Sequence, residues 1–349
     1  MSRIPVTILG ATGVVGQRFV RRLSRHPSFE IAHLAASERS AGRAYSDACD
    51  WRLPGEPYAG LGSMKVELCD PKQVFAPLAF SALDAAAART IEPLFAAAGT
   101  VVFSNASAFR MDEDVPLVVP ELNAAHLGLI EIQRRLRGWK GAIITNPNCT
   151  TVVLLGALGP LHRAFGARRV SVVSMQALSG AGYPGVSSLD AEANVIPYIG
   201  GEEEKVQTES RKILGSFLDG RIVEAPIELS ATCTRVPVVD GHTEAVSLNL
   251  EGNPGPEEAA AAIEAFIPDT AGLGLPSAPE HFVRVHREKD RPQPRRDAEA
   301  GGCMELQVGR IRACPLFGIK LITVGHNTER GAAGASVLNA ELALARGYI

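Results

Sequence analysis

The 349-residue chain has no long run of basic or acidic residues, and its net charge is only −3. That argues against nucleic acid or a charged membrane surface as its partner, and a small polar substrate fits better. Its first ten residues read as a strand with no apolar signal segment, and no uninterrupted apolar run is long enough to span a bilayer. A soluble, intracellular protein is expected. The six cysteines form no CxxC pair and no Cys/His metal spacing, so no metal is called for. In a chain this long they fit a reducing, cytoplasmic setting better than a disulfide framework, and no structural disulfide is expected. Internal repeats and low-complexity linkers are also missing, and the length suffices for two domains, each with its own core.

What is present centres on Asn146-Pro147-Asn148-Cys149-Thr150-Thr151, followed by the apolar run Val152 to Leu155. Pro147 ends a strand and Asn or Thr can cap a helix, so Cys149 falls where a helix begins. Free backbone N–H groups and the positive dipole end then face its sulfur. Such a site is expected to lower the thiol pKa and to supply donors for an oxyanion. The other cysteines, Cys49, Cys69, Cys233, Cys303 and Cys314, lie in loop-like or strand-like sequence without a cap and read as structural.

At the start of the chain, Ile4 to Leu9 reads as a buried strand, Gly10-Ala11-Thr12-Gly13-Val14-Val15-Gly16 as a turn, and Phe19, Val20 and Leu23 as a helix face. With a second strand over Ile31 to Ala36, this is a βαβ unit whose turn can hold phosphate at a helix N-terminus. Leu78 to Leu83, the helical Ala85 to Ala98, Val101 to Ser104 and Ala142 to Thr145 continue a doubly wound sheet. After the Cys149 helix, which reaches about Phe165, the pattern changes. Arg168 to Leu178, Glu244 to Leu250, Glu305 to Ile311 and Phe317 to Val324 read as strands without regular helices between them, which predicts a mixed or antiparallel sheet. Arg287 to Gly302 reads as a loop or arm. Thr328 to Arg346 reads as a closing helix that returns to the first sheet.

The expected fold class is therefore α/β: a Rossmann-like doubly wound nucleotide domain of residues 1–148 plus 327–349, and an α+β catalytic and dimerisation domain of residues 149–326 with a mixed sheet. In Asp240-Gly241-His242-Thr243-Glu244, a histidine follows a glycine turn at the start of a strand, just after Arg235-Val236-Pro237-Val238, so His242 and Arg235 are candidates for chemistry. Gly200-Gly201-Glu202-Glu203-Glu204-Lys205 opens another helix. Acidic residues in a first turn ordinarily complement the dipole, yet Glu202 and Lys205 share a face and could hold an amine and an anion. Ser37, Arg39, Ser40 and Arg43 follow the second strand where an acidic ribose ligand is expected for NAD. Hydroxyls beside Arg fit a 2′-phosphate, and NADP is favoured. His326, beside Asn327-Thr328, reads as a cap for the last helix.

Taken together, these segments closely resemble the aspartate-β-semialdehyde dehydrogenases, in particular their archaeal and fungal branch. The resemblance runs over nearly the whole chain and is carried by GATGVVG at 10 to 16, SERSAG at 37 to 42, SNASAFRMDEDVPLVVPE at 104 to 121, NPNCTT at 146 to 151 and QALSGAGYPG at 176 to 185. It continues through NVIPYIGGEEEK at 194 to 205, RVPVVDGHTE at 235 to 244, DRPQPR at 290 to 295 and HNTERGAAGASVLNAE at 326 to 341.

The resemblance implies that Cys149 is the nucleophile, His242 the general acid/base and Gln176 the residue that orients the acyl group. It implies that Arg235 and Glu202 hold the substrate carboxylate and amine, with Glu203 left open as an alternative, and that Arg110 and Lys205 bind the phosphate. Ser179, Gly180, Gly182 and Asn327 match residues near the nicotinamide, and Gly10, Thr12, Gly13, Val14, Val15, Ser37, Arg39 and Ser40 would hold the rest of NADP(H). The implied reaction is NADPH-dependent reductive dephosphorylation of L-4-aspartyl phosphate to L-aspartate 4-semialdehyde. A homodimer or homotetramer is implied, with a role in threonine, methionine, isoleucine and lysine biosynthesis.

The nearest alternative is an acyl-CoA reductase of the same superfamily, such as malonyl-CoA reductase, whose substrate has no amine to meet Glu202. A non-catalytic NADP sensor on the same fold would lack the nucleophile or the base, and both are present.

Overall fold

The computed structural model describes residues 3–349. Strands β1 (Ile4–Leu9), β2 (Phe29–Ala36), β3 (Val66–Leu68), β4 (Leu78–Ser81), β5 (Val101–Ser104) and β6 (Ala142–Thr145) form one sheet in the order β3-β2-β1-β4-β5-β6. Every neighbouring pair in it is parallel. Strands β4 to β6 are buried at every position, as unbroken apolar runs must be when helices cover both faces of a sheet. The covering helices include α1 (Val14–Leu23), α2 (Ala85–Ala98) and α3 (Leu129–Arg137). Helix α2 shows how firmly local sequence sets such ends. Asp84 Oδ1 accepts the N–H groups of Ala86 and Ala87 at its start, and Gly99 closes it at φ 109°, a left-handed conformation suited to glycine.

Helix α4 (Cys149–Phe165) leads into the second half of the chain. There β7 (Ala167–Gln176), a small hairpin of β8 (Ser216–Leu218) and β9 (Arg221–Val223), β10 (Glu228–Arg235), β11 (His242–Leu250), β12 (Val283–Val285), β13 (Leu306–Cys314) and β14 (Gly318–Gly325) follow. Apart from the hairpin they form a second sheet, in the order β10-β7-β11-β14-β13-β12. It is mixed as expected: β10 with β7 and β12 with β13 run parallel, and the other pairs are antiparallel. Strand β11 alternates buried and half-buried positions, so one face of the sheet packs inward. That face meets α4 and joins Val152 to Leu155 with Val170, Val172, Val246, Leu248 and Leu321 in one core. Burying each such side chain contributes about 1.5–3 kcal/mol. Helices α5 (Glu202–Ile213) and α6 (Pro256–Glu264) lie in this half of the chain. In the last helix, α7 (Gly334–Ala345), Val337, Leu338 and Leu342 share a core with Val6, Ile8, Phe80 and Phe103 of the first sheet.

Strand β10 has no counterpart in the sequence reading, and two further segments differ in kind from it. The closing helix starts later than Thr328, because a widened π turn over Glu329–Ala333 precedes it. The wider turn lets two consecutive charged side chains both point into the protein: Glu329 meets Arg18, Arg21 and Arg22, while Arg330 meets Glu121 through two bonds of 2.7 Å. Arg287 to Gly302 is not a plain loop either. Its turn at Pro294–Asp297 is tied back by an ion pair between the half-buried Arg291 and the buried Asp297.

Candidate active site

Strand β6 ends at Thr145, and four residues later Cys149 begins α4. Asn148 is the cap, its Oδ1 accepting the N–H groups of Thr150 at 2.9 Å and Thr151 at 3.4 Å. On the other side, a Cβ placed on Gly331 would lie 2.5 Å from that of Cys149, so the C-terminal segment closes against Cys149 only because residue 331 has no side chain.

Cys149 Sγ lies 3.1 Å from His242 Nε2. The other ring nitrogen, Nδ1, accepts the backbone N–H of Ala177 at 3.1 Å. A backbone N–H can only donate, so Nδ1 carries no proton and the neutral ring presents its single N–H, on Nε2, to the sulfur. Burial first, and then the charges of Arg235 and His326, push the His242 pKa down to about 3. The thiol departs from the sequence expectation. Crowding by protein around the cleft, with Glu202 nearby, pushes the Cys149 pKa up to about 12, against the lowering pull of Arg110, the Thr150 N–H and Arg235. The helix terminus is where the capping pattern put it, but desolvation outweighs it. Both members of the pair are accordingly neutral around pH 7.

Around this pair stand the other candidates. Glu202, buried at the first turn of α5, accepts Asn148 Nδ2 at 2.8 Å, Gln176 Nε2 at 3.4 Å and Lys205 Nζ at 2.9 Å. Glu203 turns away to accept the N–H of Cys233 on β10, and Glu204 is exposed, so of the three only Glu202 lies in the cleft. Arg235 ends β10 and donates to the Ala177 carbonyl at 2.8 Å. Gly180 lies over both: a Cβ there would be 2.7 Å from Arg235 Nη1 and 3.0 Å from His242 Cε1. Asn327 bridges Ser179 Oγ at 2.8 Å and the N–H of Gly241 at 2.9 Å, so the segments before α7 and β11 meet at this point. Gly182, with φ +72°, completes the turn after Gly180. Arg110 is buried and donates to the Asn105 carbonyl and to Glu209.

Glu209, at 1 % exposure, is absent from the sequence reading. Its signal was present, since it stands seven residues after Glu202 on one face of α5. Ala177 was also missed, and no side-chain pattern could have found it, because its contribution is a backbone N–H. His326 does not cap the last helix; its Nδ1 faces Thr328 Oγ1 at 3.4 Å.

The glycine turn leaves β1 at the carboxyl end of the first sheet. Gly10 has φ +79°, and a Cβ on Gly16 would lie 2.2 Å from the Gly10 carbonyl oxygen. The N-cap of α1 is Gly13, with no side chain over the helix end, so the N–H groups of Val14 and Val15 stand open beside Thr12. This cradle fits the pyrophosphate of a dinucleotide. Ser37 and Arg39 after β2 are exposed, while Ser40 is buried in the same turn, with its N–H bonded to the Ser37 carbonyl at 2.9 Å. No group of three or more His, Cys, Asp or Glu is arranged to hold a metal among the described residues.

Comparison with known proteins bears on this arrangement. A family model described as semialdehyde dehydrogenase, NAD binding domain, matches residues 5–130, and one described as semialdehyde dehydrogenase, dimerisation domain, matches residues 158–330. The aspartate-semialdehyde dehydrogenase of Archaeoglobus fulgidus is 54% identical over 340 residues, covering 97% of this chain and 98% of the relative. The chain belongs to the aspartate-semialdehyde dehydrogenase family. The Saccharomyces cerevisiae member is 40% identical, with 98% of each chain covered. The crystal structure of aspartate semialdehyde dehydrogenase with NADP from Candida albicans superposes with a TM-score of 0.91 at 39% identity, covering 99% of this chain and 100% of that one. A Vibrio cholerae aspartate semialdehyde dehydrogenase II complexed with ASA gives 0.78 at 30% identity, with both chains fully covered. Family membership accounts for both sheets. No helix is long and apolar enough to cross a membrane among the described residues.

Proposed function

We propose that the protein catalyses the NADPH-dependent reductive dephosphorylation of L-4-aspartyl phosphate, giving L-aspartate 4-semialdehyde, NADP+ and phosphate (EC 1.2.1.11). The observation that carries this reading is Cys149 Sγ 3.1 Å from His242 Nε2 at the head of α4, beside a carboxylate and an arginine suited to an amino acid.

In this reading the Cys149 sulfur attacks the acyl carbon. The carbon–oxygen bond to phosphate breaks, and the thiol proton leaves on the phosphate oxygen, so that charge balances without a metal. Gln176 orients the acyl group, Arg235 holds the α-carboxylate, Glu202 holds the amine, and Arg110 with Lys205 hold the phosphate. NADPH, lying on the turn of Gly10, Thr12, Gly13, Val14 and Val15 with its 2′-phosphate toward Ser37, Arg39 and Ser40, supplies the hydride that reduces the thioester. Ser179, Gly180, Gly182 and Asn327 wall the place where that transfer happens. His242, its ring neutral throughout, directs its Nε2–H as a hydrogen bond at the oxyanion of the thiohemiacetal and at the departing sulfur, and serves the acid/base step of the cycle by stabilising both. Collapse releases the aldehyde, and the sulfur takes one proton from solvent, replacing the one that left on phosphate.

The same reading divides the chain into a nucleotide domain of 1–148 plus 327–349 and a catalytic and dimerisation domain of 149–326. It makes the protein a cytoplasmic homodimer or homotetramer that feeds threonine, methionine, isoleucine and lysine synthesis. The test is phosphate-dependent reduction of NADP+, and separately of NAD+, by the purified protein with L-aspartate semialdehyde. Phosphate-requiring turnover that prefers NADP+ is expected. Activity with malonyl-CoA and NADPH instead would move the chain to the acyl-CoA reductases.

A further inference from the structure

One face of α5 carries Glu202, Lys205, Glu209 and Lys212, spaced by three or four residues so that all four point the same way. The first two belong to the cleft already described. The last two face the segment that carries Arg110. Glu209 Oε1 accepts Arg110 Nη1 at 2.9 Å, and its Oε2 accepts the backbone N–H of Asn148 at 2.5 Å. Asn148 immediately precedes the nucleophile and caps its helix. One turn further along, Lys212 Nζ donates to the carbonyls of Arg110, Asp112 and Val115 at 2.7, 2.8 and 2.9 Å. Both side chains are buried.

A carboxylate in contact with an arginine that binds phosphate opposes the anion electrostatically, so charge attraction cannot be its use. Its geometry gives a different reason. Two donors from separate parts of the chain, 38 residues apart in sequence (148 − 110), meet one planar carboxylate, and that fixes the guanidinium relative to the turn that holds Cys149. A buried guanidinium also keeps a counter-charge while phosphate comes and goes. We propose that Glu209 is a positioning residue for the acyl-transfer step that expels or takes up phosphate, one that sets Arg110 against the Cys149 turn by bridging the Arg110 guanidinium and the Asn148 N–H. The inference rests on Arg110 binding phosphate.

The test uses the full-length enzyme in the semialdehyde-oxidising direction, with Glu209→Gln and Glu209→Asp beside the wild type. Gln removes the charge and turns one acceptor into a donor. Asp keeps the charge but is one methylene too short to bridge both donors. A positioning role predicts that both variants raise the KM for phosphate about tenfold, the loss expected for one charge-assisted bond, and lower kcat, while the KM values for semialdehyde and NADP+ stay within about twofold. In parallel, protection of Cys149 from iodoacetamide by inorganic phosphate should need about tenfold more phosphate in both variants.

A lower phosphate KM in Glu209→Gln, or a wild-type phosphate KM in Glu209→Asp, would mean that the carboxylate is only a counter-charge and would overturn the proposal. So would a loss of thermal stability with every KM unchanged. If Glu209→Gln does not fold, Glu209→Asp decides by itself. Wild-type enzyme that neither requires phosphate for turnover nor is protected by it would instead overturn the assignment of Arg110, which separates that failure from a failure of the Glu209 proposal.

Discussion

The glycine turn after β1 and the cleft around Cys149 are made of different material. The turn is backbone: Gly10, Gly13 and Gly16 act through what they lack, seven consecutive residues contain it, and it leaves a helix end open. The cleft is side chain, drawn from α4, the end of β7, the first turns of α5, the end of β10 and the start of β11, with Arg110 brought in by Glu209. A backbone site tolerates change in most of its side chains and none at its glycines. A side-chain site depends on each group separately, and on the neighbours that hold it. The difference also governs charge. Nothing charged is buried in the turn, whereas the cleft neutralises its own reactive pair through burial.

The largest effect should come from the cleft. Cys149→Ala should reduce turnover below about one percent while NADP+ affinity, measured by fluorescence titration, changes little; residual activity above that level would remove the nucleophile assignment. Next comes the seam between the two regions, where Arg18 and Arg21 on α1 meet Glu329 at 2.8 and 2.6 Å, with Arg22 on its other oxygen. Burial raises the Glu329 pKa, but Arg22 and Arg18 more than offset this and bring it from 4.5 to about 2. A depressed carboxylate stabilises the fold above its unfolded pKa and stops doing so as pH falls through the folded one. This one group should therefore supply about 3 kcal/mol at neutral pH, lost between about pH 4.5 and 2. Acid unfolding followed by circular dichroism should show a shallower pH dependence over that interval in Glu329→Gln, and an unchanged profile would sink the linkage.

His242→Asn should lower kcat about a hundredfold, within the usual span for a proton-handling residue, with the substrate KM values altered far less. In the wild type, iodoacetamide alkylation of Cys149 in the absence of substrate should keep accelerating with pH above 9. A plateau between pH 6 and 8 would reveal a thiolate–imidazolium pair and contradict the neutral pair described above. The smallest effect belongs to the turn region. Arg39→Ala should weaken NADP+ about tenfold by removing one charged contact and leave NAD+ unchanged, so the ratio of the two KM values decides it.

Much of the fold was legible because its elements obey local rules. The sequence boundaries of β1, β5, β6 and α2 coincide with those observed, each an apolar run or helical pattern bounded by a cap, a glycine or a proline. The second sheet could be called mixed because no helices separate its strands, although its strand order could not be read. In the cleft, His242 and Cys149 stood out by position, one after a glycine turn and the other after a capping asparagine. What escaped was whatever depended on a distant partner. The thiol pKa went up instead of down because burial is a property of packing. Glu209 went unread although its spacing from Glu202 was visible, because only packing shows that Arg110 and Asn148 meet it. Glu244, two residues from His242, is fully buried with its side-chain carboxyl lacking a hydrogen-bond partner among the described residues. Desolvation holds its pKa well above the carboxylate range, and nothing in its sequence context marks it.

By itself the sequence determined the alternation of strands and helices, the glycine turn after β1, the cap before Cys149 and the family. All of these depend on residues a few positions apart, where backbone geometry and hydrogen-bonding reach decide the outcome. Tertiary structure decided which of three glutamates faces the cleft, which nitrogen of His242 carries the proton and whether Cys149 rests as a thiol. Those are questions of desolvation and of charges far apart in sequence, and only packing sets them.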